Sequence, residues 1–190
     1  SNKCGLISWA LGQLNNPKCG EYLLKKLEST NDVPCKLEII KALGKTGDLS
    51  AFEKLLQYLP VNNNEEASAL SIARFGMRKI KTADSFRKLV EILNSAALEI
   101  VKKNIAYAFN RIGDKESLSP YQSELKSLSS NSNPYTRMWS FSALGKLQDT
   151  ANIEYLIASL ENEEDWRVRV NLCNALGNTL PDLNSPLINK

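Results

Sequence analysis

Histidine is absent from this chain, and with it go the commonest general base, the commonest zinc ligand and the one unperturbed side chain that changes charge near neutral pH. Cysteine is scarce. Cys4, Cys19 and Cys35 stand early and Cys173 near the other end, so an elongated array holds the last apart from the others and excludes a four-thiolate zinc site. The expectation is buried free thiols, with Cys173 as a small core residue, and a reducing compartment such as the cytoplasm. No run approaches the roughly eighteen apolar residues that a membrane span requires, and no basic segment with an apolar core opens the chain. Membrane insertion is therefore not expected. Nucleophile motifs, phosphate-cradling glycine loops and carboxylates at metal-binding spacing are also missing. No catalytic residue, metal or cofactor is expected, and the chain reads as a non-enzyme.

What is present is ordinary soluble composition, 43% apolar and 24% charged over 190 residues, enough for one continuous core. The net charge of +3 comes from 24 basic and 21 acidic residues interspersed along the chain, which argues against charge-driven nucleic-acid binding. Ser1-Asn2 and the missing initiator Met read as the start of a piece of a longer protein.

Six segments end in variants of Ala-Leu-Gly: Ala10-Leu11-Gly12, Ala42-Leu43-Gly44, Arg74-Phe75-Gly76, Ala108-Phe109-Asn110, Ala143-Leu144-Gly145 and Ala175-Leu176-Gly177. The last positions are 32, 32, 34, 35 and 32 residues apart. A period of this size marks stacked supersecondary units, each too small to bury its own apolar face. About five and a half repeats are expected, approximately 1–31, 32–63, 64–96, 97–132, 133–164 and 165–190, in a single array.

Within each repeat the pattern predicts two helices. Before the Gly, apolar residues recur at helical spacing, as in Ile39-Ile40 and Leu43, and small Ala two residues before it permits close helix approach. Twelve residues before it stand Asp32, Asn64, Asn133 and Asp165, suited to cap the first turn. Pro34 and Pro134 then fit inside that turn, and the Gly itself is expected to close the helix or admit a tight turn. After a short turn with Asp48, Asp114 or Asp149 comes a second stripe: Phe52, Leu55, Leu56 and Leu59, then Phe86, Leu89, Val90 and Leu93, and later Ile153, Leu156, Ile157 and Leu160. In the fourth repeat Pro120 is expected in the first turn of this B helix. Asn62-Asn63-Asn64 and Ser129 to Asn133 read as polar linkers.

Asp165-Trp166-Arg167-Val168-Arg169 followed by Asn174-Ala175-Leu176-Gly177 resembles the HEAT repeat, particularly the short form named after phycobilisome lyases. The basic column recurs as Lys36, Lys102, Arg137 and Arg169. The resemblance covers nearly the whole chain, although the third repeat has Ser68 in the basic column and the fourth has Leu98 and Asn110 in place of the cap and the Gly. It implies an all-α, right-handed α-solenoid, a superhelix of stacked antiparallel helix pairs of the HEAT/armadillo kind. It also implies that Asp32, Asn133, Asp165, Arg137 and Arg169 are structural, hydrogen-bonding along the stack. The spaced Trp, Leu-Gly and Tyr pattern of tetratricopeptide repeats is not reproduced.

The resemblance further implies A helices on the convex side and B helices on the concave side, where a partner would lie. On the B helices, Tyr22, Lys26, Lys54, Tyr58, Lys88 and Tyr155 are the candidate partner-binding residues. Alternating Tyr and Lys suits an acidic, extended peptide, while the plainer role for the tyrosines is packing across inter-repeat joints. Trp166 is expected to cover the adjoining repeat. The expectation is a scaffold or adaptor for a protein or peptide, with self-association through the end faces if no further sequence flanks them. Two alternatives follow from relatives of the family: a bilin-lyase-like chromophore-attachment subunit, and a nucleic-acid-binding solenoid in which Lys54, Lys88, Tyr58 and Glu91 line a groove.

Overall fold

The computed structural model describes residues 2–14, 16–59, 65–95 and 98–180. The Asn62-Asn63-Asn64 linker, the cap expected at Asn64 and the tail from Pro181 lie outside the described residues. Among the described residues every regular element is helical. The chain falls into two compact units, Ser1–Ile112 and Gly113–Lys190, each taken by itself below.

In the first unit, α1 (Asn2–Gln13), α3 (Val33–Thr46), α5 (Glu65–Met77) and α7 (Glu99–Ile112) are the A helices, each packed on the next. The B helices α2 (Pro17–Ser29), α4 (Leu49–Tyr58) and α6 (Ala83–Ser95) form a second layer against them. The predicted stripe of α4 is fully inside: Phe52, Leu55, Leu56 and Leu59 are all buried. Phe52 stacks on Phe75 of α5 with ring centroids 4.4 Å apart, which ties a B helix to the A helix of the next repeat. In α6 the buried positions are Phe86, Leu89 and Ile92, with Val90 and Leu93 at the margin.

The second unit contains α8 (Lys115–Leu118), a short 3-10 turn (Ser119–Tyr121), α9 (Gln122–Ser129), α10 (Pro134–Leu147), a second 3-10 turn (Thr150–Asn152), α11 (Ile153–Asn162) and α12 (Trp166–Thr179). Here α10 and α12 are the A helices and pack on each other. Pro120 does not open the B helix of the fourth repeat. That helix already starts at Lys115, because Asp114 accepts from the Ser117 amide at 3.0 Å and Ser117 Oγ accepts from the Asp114 amide at 3.0 Å. Pro120 then falls in the 3-10 turn that separates α8 from α9, having no N–H to continue the ladder. Of the other turn aspartates, Asp48 caps the B helix α4, accepting from Ala51 N at 2.8 Å, and Asp149 caps the 3-10 turn that leads into α11, accepting from Ala151 N at 3.1 Å.

The repeated glycine has a different task from the one expected of it. Gly44, Gly76, Gly145 and Gly177 lie inside A helices that run on past them, and none of the described glycines has a positive φ. The left-handed positions are Lys79 (φ 62°) and Gln148 (φ 50°). A Cβ placed on Gly12 would stand 3.0 Å from Ala42 Cα, one on Gly145 2.6 Å from Ala175 Cα, and one on Gly44 2.8 Å from Ser71 Cα. Glycine is where one A helix meets the backbone of the next, and a side chain there would push the two apart. In the Gly44 contact the small residue is Ser71, one turn earlier than the Ala position. Arg74 fills that Ala position in α5.

The cysteines correct the expectation of free buried thiols. Cys4 of α1 and Cys35 of α3 form a disulfide with their Cα atoms 5.5 Å apart, Cys19 is half-buried and Cys173 is exposed. A sequence separation of 31 is close to one repeat, so stacking alone brings the first pair side by side. Cys173 shares its column with Ile40, Ile72, Ala106 and Phe141, all buried. It lies open because no described A helix packs on the outer face of α12. Trp166, expected to cover a neighbouring repeat, is 71% exposed at the first turn of the same helix.

Two outcomes follow. Gly145→Ala forces apart the helix pair α10 and α12 and is expected to cost about 2 kcal/mol by overpacking. Gly177→Ala, with nothing within 4 Å of the added Cβ, is expected to stabilise by about 0.5 to 1 kcal/mol through helix propensity. Thermal melts of the two variants check the opposite signs. Thiol titration of the denatured, unreduced chain is expected to count two reactive thiols, Cys19 and Cys173; a count of four would exclude the Cys4–Cys35 bond.

Candidate functional site

The basic column acts at the helix junctions. Arg137, in the first turn of α10, donates from Nη1 to the carbonyls of Asn131 and Ser132 at 3.0 and 2.9 Å. Its other nitrogens make a two-pronged bond with Glu163, 2.8 and 2.7 Å from the two carboxylate oxygens. The Glu163 side chain is 7% exposed and that of Arg137 21%. The guanidinium holds the Glu163 carboxyl below the usual carboxylate range, with burial opposing. Arg169 repeats the first half of this pattern, donating to Leu160 O at 3.1 Å and Glu163 O at 3.0 Å at the end of α11. Arg169 thereby satisfies carbonyls that close the preceding B helix, a place where a cation is favoured, whereas Arg137 bonds the linker that follows α9.

The cap column is less uniform. Asn133 accepts from Tyr135 N at 2.9 Å and Asp165 from Arg167 N at 2.9 Å. Asp32 holds the cap position of α3 without a side-chain capping bond, and its amide donates to Thr30 Oγ1 at 3.3 Å. Asp165 also grips the Arg167 side chain, at 2.5 Å between Oδ2 and Nη2, and this drives its carboxyl down to about 2. Arg167 in turn reaches Tyr135 OH at 2.7 Å and lies 4.5 Å over the Tyr135 ring, so the first turns of α10 and α12 are bound through it.

Of the six candidate partner-binding residues, five fall on the B helices of the first unit. Tyr22 and Lys54 are exposed on α2 and α4, Tyr58 is exposed at the end of α4, and Lys26 is half-buried in the last turn of α2. Burial raises the Tyr58 phenol, and the Glu28 carboxylate beside it raises it further. Between α2 and α4 runs a groove of about 340 Å³ with Glu21, Glu28 and Asp48 beside Lys25 and Lys54. A second groove, of about 560 Å³ between α4 and α6, sets Glu53 and Asp84 beside Arg87 and Lys88. Lys88 is bonded to Glu91 at 2.8 Å, and Arg87 is bridged to Asp84 at 3.0 Å and Glu91 at 2.6 Å. The hydrogen bond from Lys88 is the main reason that Glu91 titrates low. Positive and negative charges therefore alternate over this face.

Tyr155, in the second unit, is half-buried. Its hydroxyl lies 2.6 Å from Ser129 Oγ, its ring packs at 6.2 Å from Phe141, and Lys126 Nζ stands 5.2 Å over it. These contacts join α9, α10 and α11, and they line a groove of about 360 Å³ with Arg137, Glu163 and Asn162. Among the described residues no group of three His, Cys, Asp or Glu is placed to hold a metal ion, and no helix is long and apolar enough to cross a membrane. Sequence reasoning missed Arg74 and Arg78. The available signal was an arginine where the other five repeats carry a small Ala.

Stacked helix pairs with small residues between A helices and arginines bonding the carbonyls of the junctions define an all-helical repeat array. Residues 86–177 match the family model for HEAT repeats, which supports a place in the HEAT-repeat family, and the all-helical structure with contacts between neighbouring helices is consistent with a HEAT-type helical solenoid. The match is to HEAT repeats in general and does not extend to the phycobilisome-lyase subtype. No curated protein matches the chain. HEAT repeats commonly serve as protein-interaction scaffolds and are generally non-catalytic.

Arg137→Met leaves the Glu163 carboxylate poorly solvated without its partner. The expected cost is about 2 kcal/mol, reduced from the figure for a fully buried pair because the guanidinium keeps contact with water; urea unfolding measures it. Asp165 titrates lower when folded than its ordinary value of 3.8. Its contribution is complete above pH 4 and is lost as pH falls toward about 2, since the unfolded chain there binds the proton more tightly. Asp165→Asn is expected to flatten the stability profile of the second unit across that interval, and an unchanged profile would remove Asp165 as its source.

Proposed function

We propose that this protein is a non-enzymatic scaffold that binds a protein or peptide partner across the B-helix face of its first unit. The observation that carries this reading is the pair of grooves between α2, α4 and α6, open to solvent, with Tyr58 beside Glu28 of the first groove and Tyr22 exposed on α2. An exposed tyrosine offers a rigid contact area with a polar tip at low entropic cost, and two of them at successive repeats favour an extended partner. Because lysines and carboxylates alternate in both grooves, recognition rests on shape and on local pairing, with little contribution from net charge. Lys26, Lys54 and Lys88 then serve as individual salt-bridge or hydrogen-bond donors. Tyr155 belongs to this reading only as a support for the junction it packs in.

Affinity capture from a lysate, with the chain compared to a Tyr22→Ala, Lys54→Ala, Tyr58→Ala variant of equal helicity, tests the proposal. A protein retained by the first and lost from the second is the expected result. Identical captures would remove the B-helix face as the binding surface. Recovery of a bilin pigment or of nucleic acid in place of a protein would transfer the assignment to one of those two ligands.

A further inference from the structure

The second unit holds a hollow of its own, the groove of about 360 Å³ between α9, α10 and α11. On α11, Tyr155, Ser159 and Asn162 recur at helical spacing and so share one face. Ser129 and Ser130 come from the end of α9, Phe141 and Arg137 from α10, and Glu163 and Glu164 from the end of α11. The stripe Ile153, Leu156, Ile157 and Leu160 of α11 matches Phe52, Leu55, Leu56 and Leu59 of α4, which puts Ser159 in the column of Tyr58. A small side chain there leaves room that a phenol ring would fill.

The hydrogen bonds around this hollow use up most of its donors. Ser129 Oγ donates to Lys126 O at 2.8 Å, so in the 2.6 Å contact between the two hydroxyls Tyr155 is the donor. Ser159 donates to Tyr155 O at 2.7 Å, Ser130 to Lys126 O at 3.4 Å, and the Asn162 amide to Ala158 O at 2.8 Å. Four of the five N–H groups of Arg137 go to Glu163 and to the carbonyls of Asn131 and Ser132. What remains is mostly acceptors: Asn162 Oδ1, the lone pairs of the Tyr155 and Ser159 hydroxyls, and Glu163 Oε2, which takes its bond from Arg137 Nε. Glu164 adds an exposed carboxylate with no ion-pair partner among the described residues. The Glu163 charge is balanced by Arg137, and the other cation at hand, Lys126, stands 5.2 Å over the Tyr155 ring.

We propose that this hollow receives the side chain of an arginine from a partner protein. A guanidinium carries five N–H donors in one plane and no acceptor, the complement of a lining that has acceptors to spare. Its charge also answers the Glu164 carboxylate. An anionic group would meet acceptors and find few donors. The α-carboxylate of free arginine has the same difficulty, which favours an arginine within a peptide chain over the free amino acid. The site lies outside the two grooves of the first unit and does not rest on the reading given to them.

The probe is arginine capped at both ends, titrated into the intact chain and followed by amide chemical shifts in NMR spectra, with capped citrulline, of the same shape and without charge, as control. The expected result is a saturable shift of amides in α9, α10 and α11 with capped arginine alone. The affinity falls about fivefold in an Asn162→Ala, Glu164→Gln variant, the loss of one hydrogen bond and one exposed ion pair. Both of those positions are exposed, so the fold is kept. Ser159→Tyr fills the hollow, removes no carboxylate and is expected to abolish the shift; if it melts early, the first variant alone decides. No saturable shift, equal shifts with capped citrulline, unchanged affinity in the first variant, tighter binding of free arginine, or inorganic phosphate shifting these amides in place of arginine would each overturn the proposal. The variant at Tyr22, Lys54 and Tyr58 is expected to bind capped arginine unchanged, so failure here and failure of the B-helix reading are distinguishable.

Discussion

The structure of each unit depends on how closely one A helix approaches the next. Helices packed through large side chains stand apart, whereas a Gly against an Ala or Ser lets the backbones come nearly into contact. Gly12 on Ala42, Gly44 on Ser71 and Gly145 on Ala175 are three instances of this contact. It fixes the stagger between successive repeats, and the stagger decides which residues meet across the joint. Phe52 reaches Phe75 in the first unit, and Arg167 reaches Tyr135 in the second, only because the A helices are held at that distance.

Close stacking also sets the polar chemistry. Helix ends brought near a neighbouring helix present carbonyls that water reaches poorly, and such carbonyls need donors. Arginine and lysine supply them at several joints. Arg137 bonds the linker after α9, Arg169 bonds the end of α11, Arg74 and Arg78 reach carbonyls of α3, and Lys146 reaches Gly113 O at 3.1 Å. A residue that reads in sequence as a free surface cation is in these cases part of the joint. The B-helix cations differ, since Arg87 and Lys88 are neutralised by Asp84 and Glu91 on their own helix.

Much of the architecture was legible in advance. The period, the pairing of A with B helices, the first-turn positions of Pro34 and Pro134 and the caps at Asn133 and Asp165 follow from local rules that a single repeat states and the others restate. The buried stripe of α4 was legible for the same reason. What escaped local rules involved two repeats at once. The glycine signal was read as a helix terminator because its neighbour in space lies one repeat away. Cys173 was read as core because its column is core elsewhere, and whether a column is buried depends on the presence of a covering helix. The candidate site was less legible still, because Tyr22 and Tyr155 look alike in the pattern, yet one is exposed and the other is held by Ser129, Phe141 and Lys126.

By itself, then, the sequence determined the paired helices, the repeat and the all-helical class, since helix spacing, capping and periodic burial are properties of neighbours along the chain. Only the tertiary structure decided which glycines are contact points, which cysteines are joined and which arginines reach the carbonyls of a neighbouring repeat. Those outcomes depend on the distance between residues some thirty positions apart. That distance is set by the close approach of small residues between helices, and no single helix encodes it.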